Sequence, residues 1–345
     1  MEFTRESVFV GAIRSFCKSL ASVIGILIGV CVIAFVAMMV MGPNYLPDKA
    51  NPMIMPDAQG HRELLSATSP AILRIDIHGV IGLGDLTGEK IQNILLDSRE
   101  DFLASGRVKG ILLHMDTPGG TVTDADTIYR ALLDYKAKYN VPIYAYIDGL
   151  CASGGMYIIS AADKVYATSV STIGSIGVIM GPSFNFSDAL SKIGVSSLTI
   201  TEGKDKDMLN PFRPWKPGED QSIRTIIANL YERFVDLVIS ARPKVSKEKL
   251  VNDYGAHVFL AKEAEQIGYI DGAGANYSQT LTALTQAAGI DEKQNYQVVQ
   301  LYAPKPLFPD FANSLFSHGK VKHTLDMGQH LSSELSGKML YLYQP

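Results

Sequence analysis

One run of residues carries the makings of acyl-transfer chemistry. In Asp148-Gly149-Leu150-Cys151-Ala152-Ser153-Gly154-Gly155, a serine sits among small neighbours immediately ahead of an apolar stretch. Small neighbours leave room for a substrate main chain. A helix opening at Gly154 would favour negative charge near Ser153, and the Gly154 N–H is placed to complete an oxyanion hole. The same serine also fits the plainer role of a helix N-cap. A second run, Asp116-Thr117-Pro118-Gly119-Gly120-Thr121, ends one hydrophobic segment and leads into a helical one, with Thr121 and Asp124 spaced as a capping box. Its glycines admit close backbone approach and can turn N–H groups toward a developing oxyanion, although Pro-Gly pairs are also ordinary turns.

A serine nucleophile needs a base. The seven histidines, His61, His78, His114, His257, His318, His323 and His330, fall in no motif-like context, so the sequence gives a Ser-His-Asp triad no support. A lysine serves instead when burial brings its pKa from about 10.4 toward 7, a desolvation of about 4.6 kcal/mol. Gly203-Lys204-Asp205-Lys206-Asp207 holds two lysines, either of which could point inward; by charge alone the segment also reads as a solvated loop.

The elements that must position these groups alternate from residue 69 to 289. Strands are expected at Ala71 to Ile77, Gly110 to Asp116, Ile143 to Asp148, Lys164 to Ala167 and Ser196 to Ile200. Helices are expected from Val122 to Tyr139, Gly154 to Ala162 and Asp220 to Ser240, the last with Ile223, Ile226, Ile227, Leu230, Phe234, Leu237 and Val238 at helical spacing. This is an α/β domain of repeated strand-helix units. The two helices that begin directly after a strand and a glycine turn would aim their N–H groups at one site.

Ahead of this domain, no charged residue occurs from Ser19 to Pro47, and Ala21 to Met41 is long and apolar enough to span a bilayer. The reading is a cytoplasmic tail (1–18), a transmembrane helix (19–43), a tether (44–68), the catalytic domain (69–289) and an extension (290–345). Arg5, Arg14 and Lys18 precede the span and Lys49 follows it, which puts the domain on the extracytoplasmic side. The extension's LFPDF stretch and LYLY end are apolar enough to dock on a neighbouring surface or to pack on the chain itself. Thirty-one basic against 35 acidic residues, net −4, give no field for nucleic acid. Three cysteines build no disulfide framework, and no zinc-ligand spacing, P-loop or G-x-G-x-x-G pattern is present, so no metal or cofactor is expected.

From Ala71 to Gly274 the ordered motifs D-T-P-G-G, A-S-G-G-x-Y, A-A-D-K-V-Y-A, I-G-S-I-G-V, G-K-x-K and V-F-x-A-x-E-A-x-x-I-G-Y-I-D resemble those of the signal peptide peptidase A family, the S49 serine peptidases. That family is similar in fold to Clp protease and the crotonases. The resemblance implies Ser153 as nucleophile, Lys206 as general base with Lys204 as fallback, Gly120 and Gly154 beside Gly119 as oxyanion donors, and Ser175 as the hydroxyl orienting the lysine. It implies apolar peptides such as cleaved signal peptides as substrates. Because one motif set stands where the family's double-length form has two, it also implies a homo-oligomer. Asp116 and Thr117 depart from the commoner N-S-P-G-G and place an acid near the site. Two other readings share these residues: a crotonase-type acyl-CoA enzyme, and an inactive membrane scaffold of the same fold.

Overall fold

The computed structural model describes residues 8–41, 50–302 and 338–343, which fall into two units. The first contains a single helix, α1 (Val8–Met41). Its Phe9–Val36 stretch has the length and composition to cross a membrane; 28 residues rise about 42 Å, against about 30 Å of hydrocarbon.

The second unit is an α/β body. In chain order its elements are β1 (Asn51–Met55), β2 (Ala71–His78), α2 (Gly88–Asp97), β3 (Val108–Thr117), β4 (Gly119–Thr121), α3 (Val122–Tyr139), β5 (Ile143–Ala152), α4 (Gly154–Ile159), β6 (Lys164–Ala167), β7 (Thr172–Gly174), α5 (Ser187–Lys192), α6 (Gln221–Ala241), α7 (Lys247–Lys249), β8 (Val258–Leu260), α8 (Ala261–Ile267), β9 (Gly272–Ala273), α9 (Tyr277–Ala287), β10 (Gln297–Tyr302) and β11 (Leu340–Leu342). The main sheet runs β1-β10-β2-β3-β5-β6-β9, with β7 beside the end of β5 and β8 beside β7. Every pairing from β10 to β9 along that path is parallel.

Side-chain alternation along the parallel strands divides the core into two. Leu73, Ile75 and Ile77 of β2, with Ile111, Leu113 and Met115 of β3, pack beneath Ile91, Leu95, Ile128 and Leu132 of α2 and α3. The other face buries Ile72, Leu112 and Tyr146 under Leu281 and Leu284 of α9. Beyond α9 that second face turns polar: Arg74 and Asp76 pair, His78 Nε2 lies 3.0 Å from His114 Nδ1, and His114 Nε2 lies 2.7 Å from Asp148.

The strands expected at the start of the domain appear with slightly longer bounds, and α3 has the expected ends. Thr121 caps its first turn, and Asn140 closes it in a left-handed conformation. Ser196 to Ile200 differs. Its residues make no ladder and stand exposed, Leu198 by 86% and Ile200 by 88%, because among the described residues no strand lies beside them. The 203–210 segment is likewise a succession of turns rather than extended chain, with Lys206 N–H on Gly203 O and Met208 N–H on Asp205 O. The sheet also takes in β1, from the segment read as a tether, and β10, from the segment read as an extension; β10 lies between β1 and β2. The LFPDF stretch lies outside the described residues.

Candidate active site

Ser153 sits where β5 gives way to α4, buried to 1% exposure, with φ 54° and ψ −109°. An L-residue at positive φ is strained, and the surroundings hold it there: the Ser153 N–H donates to Gly174 O at 2.9 Å, and Tyr157 N–H donates to Ser153 O at 3.1 Å. Ser153 therefore terminates a strand and opens a helix with its side chain making no capping bond. The turn is fixed from behind by Asp116, whose Oδ1 accepts the Leu150 N–H at 3.0 Å. A Cβ at Gly149 would lie 2.4 Å from that oxygen. The acid that distinguishes this glycine turn thus braces the backbone leading to the serine.

β4 runs past Ser153 with a partner on each edge. On one side, Ile81 N–H donates to Gly119 O and Thr121 N–H to Ile81 O. On the other, β11 pairs antiparallel with Tyr341 opposite Gly120. The contacts tolerate no side chain: a Cβ at Gly120 would fall 2.0 Å from Ile81 O, and one at Gly119 would fall 2.0 Å from Tyr341 O and 2.7 Å from Gly154 N. Hydrogen-bonded pairs alternate in an antiparallel ladder. Val122 N–H donates to Met339 O and Tyr343 N–H to Pro118 O, so the intervening pair that exchanges bonds is Gly120 and Tyr341. The Tyr341 carbonyl therefore accepts from the Gly120 N–H and lies close against Gly119 and Gly154, where a Cβ on Gly154 would stand 3.2 Å from its oxygen. The LYLY end packs on the chain's own glycine strand.

The Tyr341 ring is fully buried against Tyr157, at 5.1 Å between centroids, and Phe234, at 4.6 Å. Tyr157 is itself fixed, its hydroxyl donating to Asp126 at 2.7 Å while Arg233 reaches both groups. Burial, with the Asp126 carboxylate alongside, pushes the Tyr157 phenol up to about 12, so it remains a donor at neutral pH. Sequence reasoning missed Tyr157, Phe234, Asp126, Arg233 and Tyr341 as parts of this site. Only the aromatic position in A-S-G-G-x-Y hinted at the first.

Of the residues singled out in sequence, Ser153, Gly119, Gly120 and Gly154 come together. Ser175 is also buried, follows β7, and holds φ 55° with its N–H on His257 O at 2.7 Å. The lysines do not join them in the single chain. Lys204 and Lys206 are exposed, and among the described residues neither makes a hydrogen bond to Ser153 or Ser175. The neighbouring Asp207 is taken up by Arg213, at 2.7 and 3.0 Å, rather than facing a lysine. Cys151 is buried, and burial pushes its thiol well above the ordinary value, which makes it an inert packing residue.

A buried serine at a strained strand-to-helix turn, beside a glycine strand that pairs with peptide backbone, places the fold in the class of α/β proteins equipped for acyl transfer. A family model described as Peptidase family S49 matches residues 136–291. "Putative protease slr0021" of Synechocystis is 30% identical over 242 residues, covering 70% of this chain and 83% of that protein. The chain belongs to peptidase family S49. "Putative signal peptide peptidase SppA" of Enterococcus faecium is 30% identical over 213 residues, 60% of this chain and 61% of its own length. "Protease 4" of Salmonella typhi is 30% identical over 191 residues, only 29% of its length. A ClpP1 mutant from Listeria monocytogenes aligns with 60% of this chain at 19% identity and a TM-score of 0.39.

Proposed function

We propose that this chain is a membrane-anchored serine endopeptidase in which Ser153 is the nucleophile, the Gly120 and Gly154 N–H groups with Gly119 beside them form the oxyanion hole, and Lys206 is the general base. The observation that carries this is β11 lying as a peptide strand along β4, with the Tyr341 carbonyl against Gly119 and Gly154. A site that seats a main-chain carbonyl beside a buried serine is suited to attack on a peptide bond.

In the mechanism, the lysine takes the Ser153 proton as Oγ adds to the carbonyl carbon. The C–N bond then breaks, the proton passes to the leaving amine, and water hydrolyses the resulting ester. The base must be excluded from water, and Lys206 is exposed in the single chain, so assembly of copies completes the site. The exposed Phe184, Phe186, Leu198, Ile200 and Phe212, on the same stretch of chain as Lys206, are the surface that assembly would cover. Ser175 then orients the lysine. With α1 as the anchor and the body on the extracytoplasmic side, apolar peptides released near the bilayer, such as cleaved signal peptides, are the substrates.

The test uses the full-length protein in detergent with a fluorophosphonate probe and a short apolar peptide. Wild type is expected to be labelled at Ser153 and to cleave. Ser153→Ala and Lys206→Ala are expected to do neither, while Lys204→Ala retains both. Survival of Lys206→Ala with loss in Lys204→Ala moves the base to Lys204. An unlabelled Ser153 in assembled wild type returns the chain to the scaffold reading, and thioester binding without peptidase activity to the acyl-CoA one.

A further inference from the structure

The parallel register of β2 and β3 gathers a second cluster, on the face of the sheet that turns polar beyond α9. Asp76 stands opposite His114, and His78, two residues further along β2, projects from the same face. Three ligand atoms meet there. His78 Nε2 lies 3.0 Å and Asp76 Oδ1 3.5 Å from His114 Nδ1, and the ligand atoms of the three residues all lie within 4.8 Å of one another. Donors bound tetrahedrally to zinc at about 2.0–2.1 Å stand about 3.3 Å from one another, so two of the three edges already have the spacing of a zinc site. The His114 ring is also oriented for it. Its Nε2 is 2.7 Å from Asp148 Oδ2, which keeps the proton of the neutral ring on that nitrogen, and Arg74 Nη2, donating at 2.7 Å, marks Nδ1 as the bare acceptor. A carboxylate behind the imidazole is the outer shell that metal-binding histidines carry. Gln300 adds an independent sign. It is 4% exposed and donates from Nε2 to Asp76 Oδ2 at 2.8 Å, yet its buried Oε1 has no partner among the described residues, an acceptor of the kind that a metal-bound water satisfies.

We propose that Asp76, His78 and His114 form a binding site for a zinc-class divalent cation whose fourth position is open to water. The site stands apart from the peptidase reading and does not depend on it. Two imidazoles and one carboxylate suit zinc, whereas calcium and magnesium take oxygen donors. His78 is exposed and gives the ion its way in, while His114 is buried and fixes how deep it sits. The local charge favours a cation: Asp76, Asp148 and Asp116, which faces His78 in register, are opposed by Arg74. On binding, Arg74 releases Nδ1 of His114 and keeps Asp76, to which its Nε donates at 2.7 Å. Both histidines bind as neutral rings, so any proton they carry passes to solvent. An ion held there ties β2 to β3 just ahead of the glycine turn and so stabilises the fold.

The test takes the full-length detergent-solubilised protein, strips it with EDTA, removes the chelator and equilibrates the protein with zinc chloride. Elemental analysis after gel filtration is expected to find about one zinc per chain in wild type and in His61→Gln, which lies outside the cluster. His78→Gln and His114→Gln are expected to lose it. Asp148→Asn leaves the three ligands in place and is expected to weaken binding about 10- to 100-fold. Zinc should raise the melting temperature of wild type and leave that of the two histidine variants unmoved. Cobalt in place of zinc should give wild type the visible absorption bands of a four-coordinate ion, and the histidine variants none. Should His114→Gln fail to fold, His78→Gln, at an exposed position, and Asp148→Asn carry the test. A wild type that retains no zinc and shows no shift in melting overturns the proposal. So does zinc binding that persists unchanged in both His78→Gln and Asp148→Asn, which places the ion elsewhere on the chain.

Discussion

The roles proposed for Ser153 and the glycines around it rest on backbone geometry, and the consequences can be stated residue by residue. Ser153→Ala keeps the turn and removes the hydroxyl, so peptide cleavage should fall by at least about 10³-fold with the melting temperature nearly unchanged, as kinetics and calorimetry would show. Gly120→Ala is different, because its Cβ would stand 2.0 Å from Ile81 O and the backbone must move. It should lower both the melting temperature and, by about 10²-fold or more, kcat. The serine and its glycines stood out in sequence only when the ordered motifs were taken together, since each run alone also fits a helix cap or an ordinary turn. The cluster around Tyr341 did not: Asp126 and Arg233 meet at Tyr157 from helices 107 positions apart, a pairing that no local pattern announces.

At the level of elements, β2 sets the response to acid. Burial opposes charge on the Asp76 carboxylate, but hydrogen bonds from His114 and Arg74 outweigh it and hold its pKa well below the ordinary carboxylate range. Burial, with Asp76 pulling the other way, lowers the pKa of His78. Both groups bind protons more readily unfolded than folded. Their contributions are therefore complete above about pH 6.5 for His78 and about pH 4 for Asp76, and are lost as pH falls through the lower folded values. Denaturant melts should show stability declining below about pH 6.5 and more steeply below about pH 4. His78→Gln should flatten the first limb and Asp76→Asn the second. A second element-scale pairing, Arg242 on the end of α6 with Asp271 before β9 at 2.9 Å, is buried on the arginine side. Arg242→Met should destabilise by about 2–4 kcal/mol in the same melts, since it leaves the carboxylate short of a partner. Elements with local signals, such as α3 with its cap and left-handed end, could be read from the chain. The β10 and β11 pairings could not, because Gln297 faces Ala71 and Tyr341 faces Gly120 across more than 200 residues of sequence.

The molecule as a whole leaves its proposed base in solvent. Ser153 is buried while Lys204 and Lys206 are exposed, and the same stretch displays Leu198 and Ile200 almost fully. If assembly covers that stretch, light scattering in detergent should give a mass several times 37.5 kDa. Ile200→Glu should then lower both the mass and the peptidase activity while leaving the melting of the isolated body little changed. An assembled structure with both lysines still in water would end the Ser-Lys reading. Sequence periodicity misread Ser196–Ile200 as a strand for a related reason: it registers apolar and β-branched content, but not whether the partner belongs to the same copy.

The strained turn at Ser153 has a further consequence. Glycine adopts φ 54° and ψ −109° without the penalty a serine bears, about 1–3 kcal/mol, and gives back part of the difference through a looser unfolded chain. Ser153→Gly should therefore melt later than wild type while cleaving nothing. A laboratory search for heat-resistant variants that never assays cleavage would be drawn to a substitution expected to abolish it.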